Sequence, residues 1–389
     1  MLAFLAKGLT FFQIGFLFGF REICANFAEI PTGAIADVLG RRKSMIMSHV
    51  AYVVAFLLLG AADGFYFLMV GMFAFSIGEA FRTGTHKAII FQWMKQEGIE
   101  KRKTEIYGHT RFYSKLGSAV SAWIAAGFVI WLKDYKWIFY ISAIPIALNI
   151  INFMTYPKCS DYNHKKSKSI REVAKHLFEG LRTCIKRQKL RQLLVEATSF
   201  EGVFKSTKDY LQPVIKTFVL SMTCFLWMES KTREAIAIAI IYSTLNFLSA
   251  RASKKAAAFQ DKFKTTNNAL KVLWLIMILM FALMLAGLII NPIISIVAFI
   301  VLAIIQNLWR PIMIGQIAEQ AKDEHMATVL STESQCKNLF VALAAPGIGY
   351  LADNLDNNCK FVPVAVLGIV VATVVLSSKL LKKERNNNG

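Results

Sequence analysis

Acidic charge is scarce in this chain: 25 aspartates and glutamates stand against 45 lysines and arginines, and the four charged types together make up only 18% of 389 residues. An ordinary soluble domain carries about a quarter charged residues, so the usual water-facing surface is missing. The six cysteines, Cys24, Cys159, Cys184, Cys224, Cys336 and Cys359, form no C-x-x-C pair, which leaves neither a zinc site nor a disulfide framework. Only Cys224 and Cys359 fall on the same outer side of the topology derived below, and a bridge between them carries little weight. Also absent are H-E-x-x-H, G-x-S-x-G, a phosphate-binding glycine loop and clustered metal ligands, so nothing points to an enzyme, a metal or a cofactor.

What is present is apolar. Hydrophobic residues make up 55% of the chain and aromatic residues 12%, and they arrive in blocks of roughly 20, the length that crosses a hydrocarbon layer about 30 Å thick. The blocks predict spanning helices at about 11–37, 44–62, 65–93, 109–132, 135–156, 191–218, 234–251, 270–290, 292–317, 328–352 and 361–381. The fold class is therefore an all-α integral membrane protein with about 11 transmembrane helices. Met1 to Leu9 is apolar but too short to span and lacks the basic start of a signal peptide. It has the character of the tail of a helix, with a late translation start, a truncated gene or an intact eleven-span protein as explanations.

The excess of +20 would suggest nucleic acid in a soluble protein, but the basic residues occupy loops between the blocks. When the loops are assigned alternately to two sides, one side collects 30 lysines and arginines and the other six. Cytoplasmic loops carry such an excess, which makes this a multi-pass protein of the inner (plasma) membrane with a cytoplasmic C-terminus. The partners are then the lipid bilayer and a small-molecule substrate, with or without protons, and no nucleic acid. Residues 157–190 form a basic cytoplasmic connector between a bundle at 1–156 and a bundle with a cytoplasmic tail at 191–389. Within the connector, Ile170, Val173, Leu177, Leu181 and Ile185 recur at helical spacing, as in an amphipathic helix on anionic headgroups or a solvated linker helix.

Several charges fall inside the blocks, where each costs roughly 2.5–3.5 kcal/mol near the bilayer centre unless it has a partner or a watery cavity. Arg21, Glu22, Asn26 and Glu29 lie in the first block, and Glu79, Arg82, His86 and Lys87 in the third. Glu201, Lys205, Lys208, Asp209 and Gln212 precede Pro213 in the sixth, while Gln306 and Arg310 lie in the ninth and Gln335, Lys337 and Asn338 in the tenth. Roughly half of such residues serve only to fix helix packing; the others converge on a shared interior suited to a solute or proton path. For Glu29 and Glu196, nearer the block ends, interfacial hydration is the expected state.

The turn after the first block reads Gly33-Ala-Ile-Ala-Asp37-Val-Leu-Gly40-Arg41-Arg42-Lys43, a hinge of two glycines, an aspartate and three cations. It strongly resembles the loop between the second and third helices of the major facilitator superfamily, G-x-x-x-D-x-x-G-R-[RK]. The resemblance extends along the whole chain and implies a two-bundle fold of 12 helices with most of the first helix missing here. It further implies a midplane substrate site and alternating access by rocking of the bundles, with Gly33, Asp37, Gly40, Arg41 and Arg42 as the gating motif. Asp37 would hold the bundles together by contacting the helix start near Thr328–Glu333. The equivalent loop of the second half, Ser249–Phe263, lacks the pattern, and the 109–132 helix lacks the proline and glycine run of the family's antiporters.

The function expected from these features is secondary transport of a small solute, with Glu79, Glu22 and Asp209 as candidate proton carriers if transport is proton-coupled. The substrate-path candidates are Arg21, Glu22, Asn26, Glu79, Arg82, Lys205, Lys208, Asp209, Gln306, Arg310 and Lys337, whose cations lean mildly towards a polar or anionic solute. The competing expectation is a protein that keeps the fold but only binds or scaffolds. The orientation is directly testable in a background whose native cysteines are replaced by serine. A membrane-impermeant maleimide added to intact cells should label Lys360→Cys and leave Lys168→Cys unlabelled until the cells are broken.

Overall fold

The computed structural model describes residues 1–99, 103–156, 186–221, 227–320, 326–356 and 359–387. These form helices and no strand. In chain order they are α1 (Leu2–Ala6), α2 (Phe11–Leu39), α3 (Arg41–Ala61), α4 (Phe65–Gln96), α5 (Lys103–Leu132), α6 (Lys136–Met154), α7 (Gln188–Thr207) and α8 (Leu211–Ser221). They continue with α9 (Ser230–Lys254), α10 (Ala256–Gln260), α11 (Thr266–Ile289), α12 (Pro292–Gln320), α13 (Met326–Asn354) and α14 (Val362–Asn387). With α7 and α8 counted as one passage, eleven long helical passages are described, close to the spans expected from the sequence. The connector segment 170–185, which reads as a surface or a linker helix, and Cys224, whose bridge to Cys359 carries little weight in the sequence, lie outside the described residues.

Local sequence explains where the helices begin and break. The Thr10 hydroxyl accepts from Gln13 N at 3.2 Å and the Gln13 side chain accepts from Thr10 N at 3.1 Å, a reciprocal cap that starts α2. Gly40, at φ 88°, turns the chain sharply between α2 and α3, a conformation that a side chain disfavours. Lys208–Tyr210 is a 3-10 turn between α7 and α8. Pro213 has no N–H for the carbonyl four residues earlier, so the helix tightens just before it.

Seven helices or helix segments are long and apolar enough to cross a membrane by those measures alone, among the described residues. Three of the passages that fall short, α2, α7–α8 and α13, carry interior charges such as Glu22, Lys205 and Lys337. Their lower hydropathy reflects what they face. Large apolar side chains elsewhere point outwards, including Phe67, Trp131 and Ile289, as a lipid-facing surface requires.

α2, α3, α4 and α6 pack on one another, and α7, α9, α11, α12, α13 and α14 form a second group. The groups meet along two seams, α2 on α13 and α5 on α9, and α5 meets α4 and α6 only briefly. The second group closes around Phe200, stacked on Trp309 with ring centroids 4.2 Å apart, and Trp274 edge-on at 5.0 Å.

The α2–α13 seam is backbone against backbone. A Cβ on Gly15 would stand 2.2 Å from the Ala345 carbonyl oxygen, and one on Gly19 2.7 Å from that of Ala342. In a membrane, where lipid competes with apolar side chains, such small residues let helices approach closely enough for dispersion to hold them. The seam is tied at one end by the Asp353 carboxylate, which accepts from Phe11 N at 2.9 Å and Phe12 N at 2.7 Å. The α5–α9 seam packs Ala126 and Val129 on Ala235 and Ala239, with Ser243 Oγ donating to the Ala119 carbonyl at 3.0 Å. It is tied near its ends by Tyr135 OH donating to Glu234 at 3.1 Å, Lys133 pairing with Glu229 at 3.0 Å and Lys254 over the Phe112 ring at 4.3 Å.

Gly15→Leu should therefore overpack the α2–α13 seam and lower stability in detergent by about 1–3 kcal/mol, read as a lower thermal midpoint. Gly117→Ala, with nothing within 4 Å of its added carbon, should leave the midpoint unchanged or raise it slightly.

Candidate functional site

A cavity of about 850 Å³ lies between the two groups of helices. Its wall combines Lys115, Ser118 and Ser121 of α5 with Glu201 and Lys205 of α7, Lys208 and Asp209 of the 3-10 turn, Gln306 of α12 and Lys337 of α13. Apolar stretches come from Phe204, Tyr242 and Phe299. The break before Pro213 brings Lys208 and Asp209 to this wall at the end of α7. Of the path candidates, Lys205, Lys208, Asp209, Gln306 and Lys337 thus line the cavity, whereas Arg21, Glu22, Asn26, Glu79, Arg82 and Arg310 stand behind or away from it.

Three polar networks account for the second set. In the first, Glu22 of α2, with a side chain only 6% exposed, lies between two cations: Arg21 Nη2 at 2.6 Å and Lys205 Nζ at 2.6 Å. Lys205 also donates to Asn338 Oδ1 at 3.2 Å, Asn338 Nδ2 to Asn26 Oδ1 at 2.8 Å, and Asn26 Nδ2 to the Gln335 carbonyl at 3.1 Å. This chain of bonds joins α2 to α7 and α13 across the seam. Arg21 is further seated over the Phe18 and Phe75 rings, 5.2 and 5.6 Å from their centroids.

The second network lies inside the first group of helices. Arg82 Nη2 donates to Glu79 Oε1 at 2.7 Å and Oε2 at 3.0 Å, Arg82 Nε donates to Tyr52 OH at 3.2 Å, and Tyr52 OH donates to Glu79. The pair is half-exposed, at 46% and 34%. Nearby, His49 is set between the Met45 carbonyl at 2.7 Å and Asn149 Nδ2 at 3.0 Å; its Nδ1 then carries the proton and its Nε2 accepts.

The third network lies in the second group. Arg310 makes a bidentate bond to Glu333, at 2.7 and 3.0 Å, and its Nε is 3.8 Å from Glu201 Oε1. Gln306 Nε2 donates to the same Glu201 oxygen at 2.9 Å. Here one cation serves two carboxylates.

The hinge motif is only partly visible. Arg42 Nη1 donates to the Tyr156 carbonyl at 3.0 Å, tying the start of α3 to the end of α6, and Gly33 has open space around it. The side chains of Asp37 and Thr328, and with them the contact expected between the motif and α13, lie outside the described residues. Glu333, at the other end of that expected contact, is buried and bound to Arg310.

The expectation of interfacial hydration fails for Glu196. It is 4% exposed and accepts from Trp274 Nε1 at 2.9 Å, because the indole needs an acceptor in the packed core. Glu29 keeps partial exposure and accepts from Ser331 Oγ at 3.2 Å. Sequence reasoning passed over Tyr52 and the pairing of Glu333. The second had a signal: Gln306 and Arg310 sit four apart on one helical face, and a buried arginine requires an acid from a neighbouring helix. Among the described residues, no group of three or more histidine, cysteine, aspartate or glutamate side chains is placed to hold a metal ion.

The burial of these networks ranks them. Arg310→Gln should strand Glu333 without its cation in the interior and lower stability by about 3–5 kcal/mol. Arg82→Gln, at a pair whose side chains are 46% and 34% exposed, should lower it by less than Arg310→Gln does. Thermal unfolding of the purified variants in one detergent gives the comparison.

The sequence profile of the Major Facilitator Superfamily matches residues 1–345. Solved structures of similar fold include a mutant of the nucleoside transporter NupG, with a TM-score of 0.74, 14% identity and coverage of 96% of this chain and 92% of that one. NupG without the mutation gives 0.72 at 13% identity, with the same coverage. A POT family transporter in complex with 5-aminolevulinic acid gives 0.71 at 14% identity, covering 95% of this chain and 88% of that one. At these identities the likeness concerns the fold.

Proposed function

Because this chain belongs to the Major Facilitator Superfamily, and is on that ground a multi-pass membrane transporter rather than an enzyme, we propose that it carries a small polar solute by alternating access through the cavity between its two halves. The halves are residues 1–156 and 191–389, joined by the basic connector 157–190. The observation that carries this reading is the polar cavity of about 850 Å³ set against a charged tie, Glu22–Lys205 at 2.6 Å, that crosses between the halves. A fixed scaffold would gain little from a buried cross-seam ion pair, whose desolvation offsets much of its attraction. A carrier gains a contact that forms in one state and breaks in the next.

The tight end of the α2–α13 seam, at Phe11, Phe12 and Asp353, supports a state closed on the side that carries few basic residues. By the loop charges that side is extracellular, the membrane is the inner (plasma) membrane and the C-terminus is cytoplasmic. Gly40, Arg41 and Arg42 shape the cytoplasmic turn, and Gly33 and Asp37 complete the gating hinge. The cavity wall carries more lysines than carboxylates, which suits a solute with anionic or polar groups. Nucleosides, peptides and 5-aminolevulinic acid, named with the structures of similar fold, are reasonable first solutes to try. Proton coupling is part of the proposal, because carboxylates lie at the cavity wall, Glu201 and Asp209, and close behind it, Glu22.

Solute counterflow into proteoliposomes tests the reading, with a cysteine pair at Phe12 and Tyr350, whose rings lie 6.2 Å apart across the seam. In a background otherwise free of cysteine, oxidising the pair should reduce counterflow at least tenfold, and reduction should restore it. Flux that persists in the cross-linked protein would rule out rocking at this seam. No flux for any pooled solute would favour a binding or scaffolding role.

A further inference from the structure

The loop of the second half that lacks the glycine and aspartate pattern carries five cations, Arg251, Lys254, Lys255, Lys262 and Lys264, against one carboxylate, Asp261. All six are exposed, and none of the five cations makes an ion pair among the described residues. The backbone beneath them is pinned. α10 turns Ala256 and Phe259 onto the second group, Phe259 meets Phe263 with ring centroids 5.1 Å apart, and Gln260 Nε2 donates to Thr266 Oγ1 at 3.0 Å, closing the corner onto α11. Like charges held in so short a loop repel one another unless an anion lies among them. Along α9 the exposed positions recur as Ile240, Thr244, Phe247, Arg251 and Lys254, a spacing of three and four that makes one outward stripe. The cavity takes a different face of the helix, with Ile238, Tyr242, Leu245 and Ser249. The stripe is mostly apolar along its length and cationic at its end. Arg251 does not reach away from the bilayer, as an arginine at a helix end usually does: its guanidinium folds back over Phe247, 4.4 Å from the ring centroid. Lys254 lies over Phe112 of α5 at 4.3 Å, so the charged end of the stripe borders the α5–α9 seam. A ring holds a cation by its face and leaves the N–H donors to another acceptor.

We propose that this end of α9 is a binding site for an anionic phospholipid, whose phosphate accepts from Arg251, Lys254 and Lys255 while an acyl chain lies along Phe247 and Ile240. The planar guanidinium suits a phosphate as a two-pronged donor. The lysines three and four residues further on leave the same side of the helix and flank it, and Lys262 and Lys264 add attraction from the loop. The apolar stripe decides for a lipid over a soluble anion, which would gain nothing from Phe247 or Ile240. The surplus of charge decides for a headgroup such as phosphatidylglycerol, since phosphatidylcholine brings a cation of its own and leaves that surplus unanswered.

The site does not depend on which solute is carried, and its test measures no transport. Thr244→Cys, in the full chain with its native cysteines replaced by serine, takes a fluorophore on the stripe. In phosphatidylcholine vesicles of rising phosphatidylglycerol content, with bromine on the phosphatidylglycerol chains, quenching should reach half its limit at a low phosphatidylglycerol fraction. Brominated phosphatidylcholine at the same fractions should quench less. Arg251→Gln with Lys254→Gln should raise the fraction needed at least about fivefold. Arg187→Gln with Lys189→Gln, the same change of charge at the start of α7, should leave it unchanged. Phe247→Ala, which alters no charge, should raise it about two- to fivefold by unseating Arg251. Equal effects of the two charge-matched pairs would reduce the attraction to overall surface charge and overturn the site, as would equal quenching by the two brominated lipids. Should the α9 pair not fold, Phe247→Ala and the parent protein still decide: no effect of the ring's removal, or displacement of the lipid by glycerol phosphate in solution, would overturn the lipid assignment.

Discussion

A charge that faces the interior of a membrane bundle must be answered by another, since water is too sparse there to do it, and this requirement organises the centre of the molecule. Glu22 holds Arg21 and Lys205, Arg310 holds Glu333 and approaches Glu201, and Glu196 takes the indole N–H of Trp274. Each pairing fixes the rotation of a helix about its axis, because only one face of α2, α7, α12 or α13 can bring its residue to the partner. The apolar outer surface has no such preference, since lipid accepts any Leu, Ile or Phe that is presented to it. The polar networks therefore do what a hydrophobic core does in a soluble domain: they distinguish inside from outside.

The two seams between the helix groups share a reliance on small residues. α2 meets α13 backbone to backbone through Gly15 and Gly19, a contact that depends on close approach and weakens steeply with separation. α5 meets α9 through Ala126, Ala235 and Ala239 and through Ser243 Oγ, which donates to the Ala119 carbonyl at 3.0 Å, with Tyr135–Glu234 and Lys254–Phe112 near its ends.

Between these seams, α7 joins the packed core of the second group to the cavity wall. It begins in the packed second half, carries Glu196 into the core, presents Glu201 and Lys205 to the cavity, and ends in the turn imposed by Pro213. Lys205 reaches across to Glu22 of α2.

Much of this was written in the sequence. The lengths of the apolar blocks gave the helices to within a few residues, because the thickness of a bilayer dictates them whatever the fold, and the Gly40 turn followed from a residue free to take positive φ. The presence of interior charge on α2, α4, α7, α12 and α13 was equally plain. Partners were not, since Glu22 and Lys205 are separated by most of the first half and the connector, and Glu333 and Arg310 lie 23 residues apart on different helices. Glu79 and Arg82 stood out in sequence through their spacing of three, yet that local pairing, completed by Tyr52, keeps them within the first half and off the cavity wall. The GxxxG spacing at Gly15 and Gly19 acquired meaning only when Ala342 and Ala345 were brought against it. A single chain encodes which residues are costly to leave alone in a membrane; which of them meet is decided by the packing of helices distant in sequence, through the rotation each must adopt to satisfy its charges.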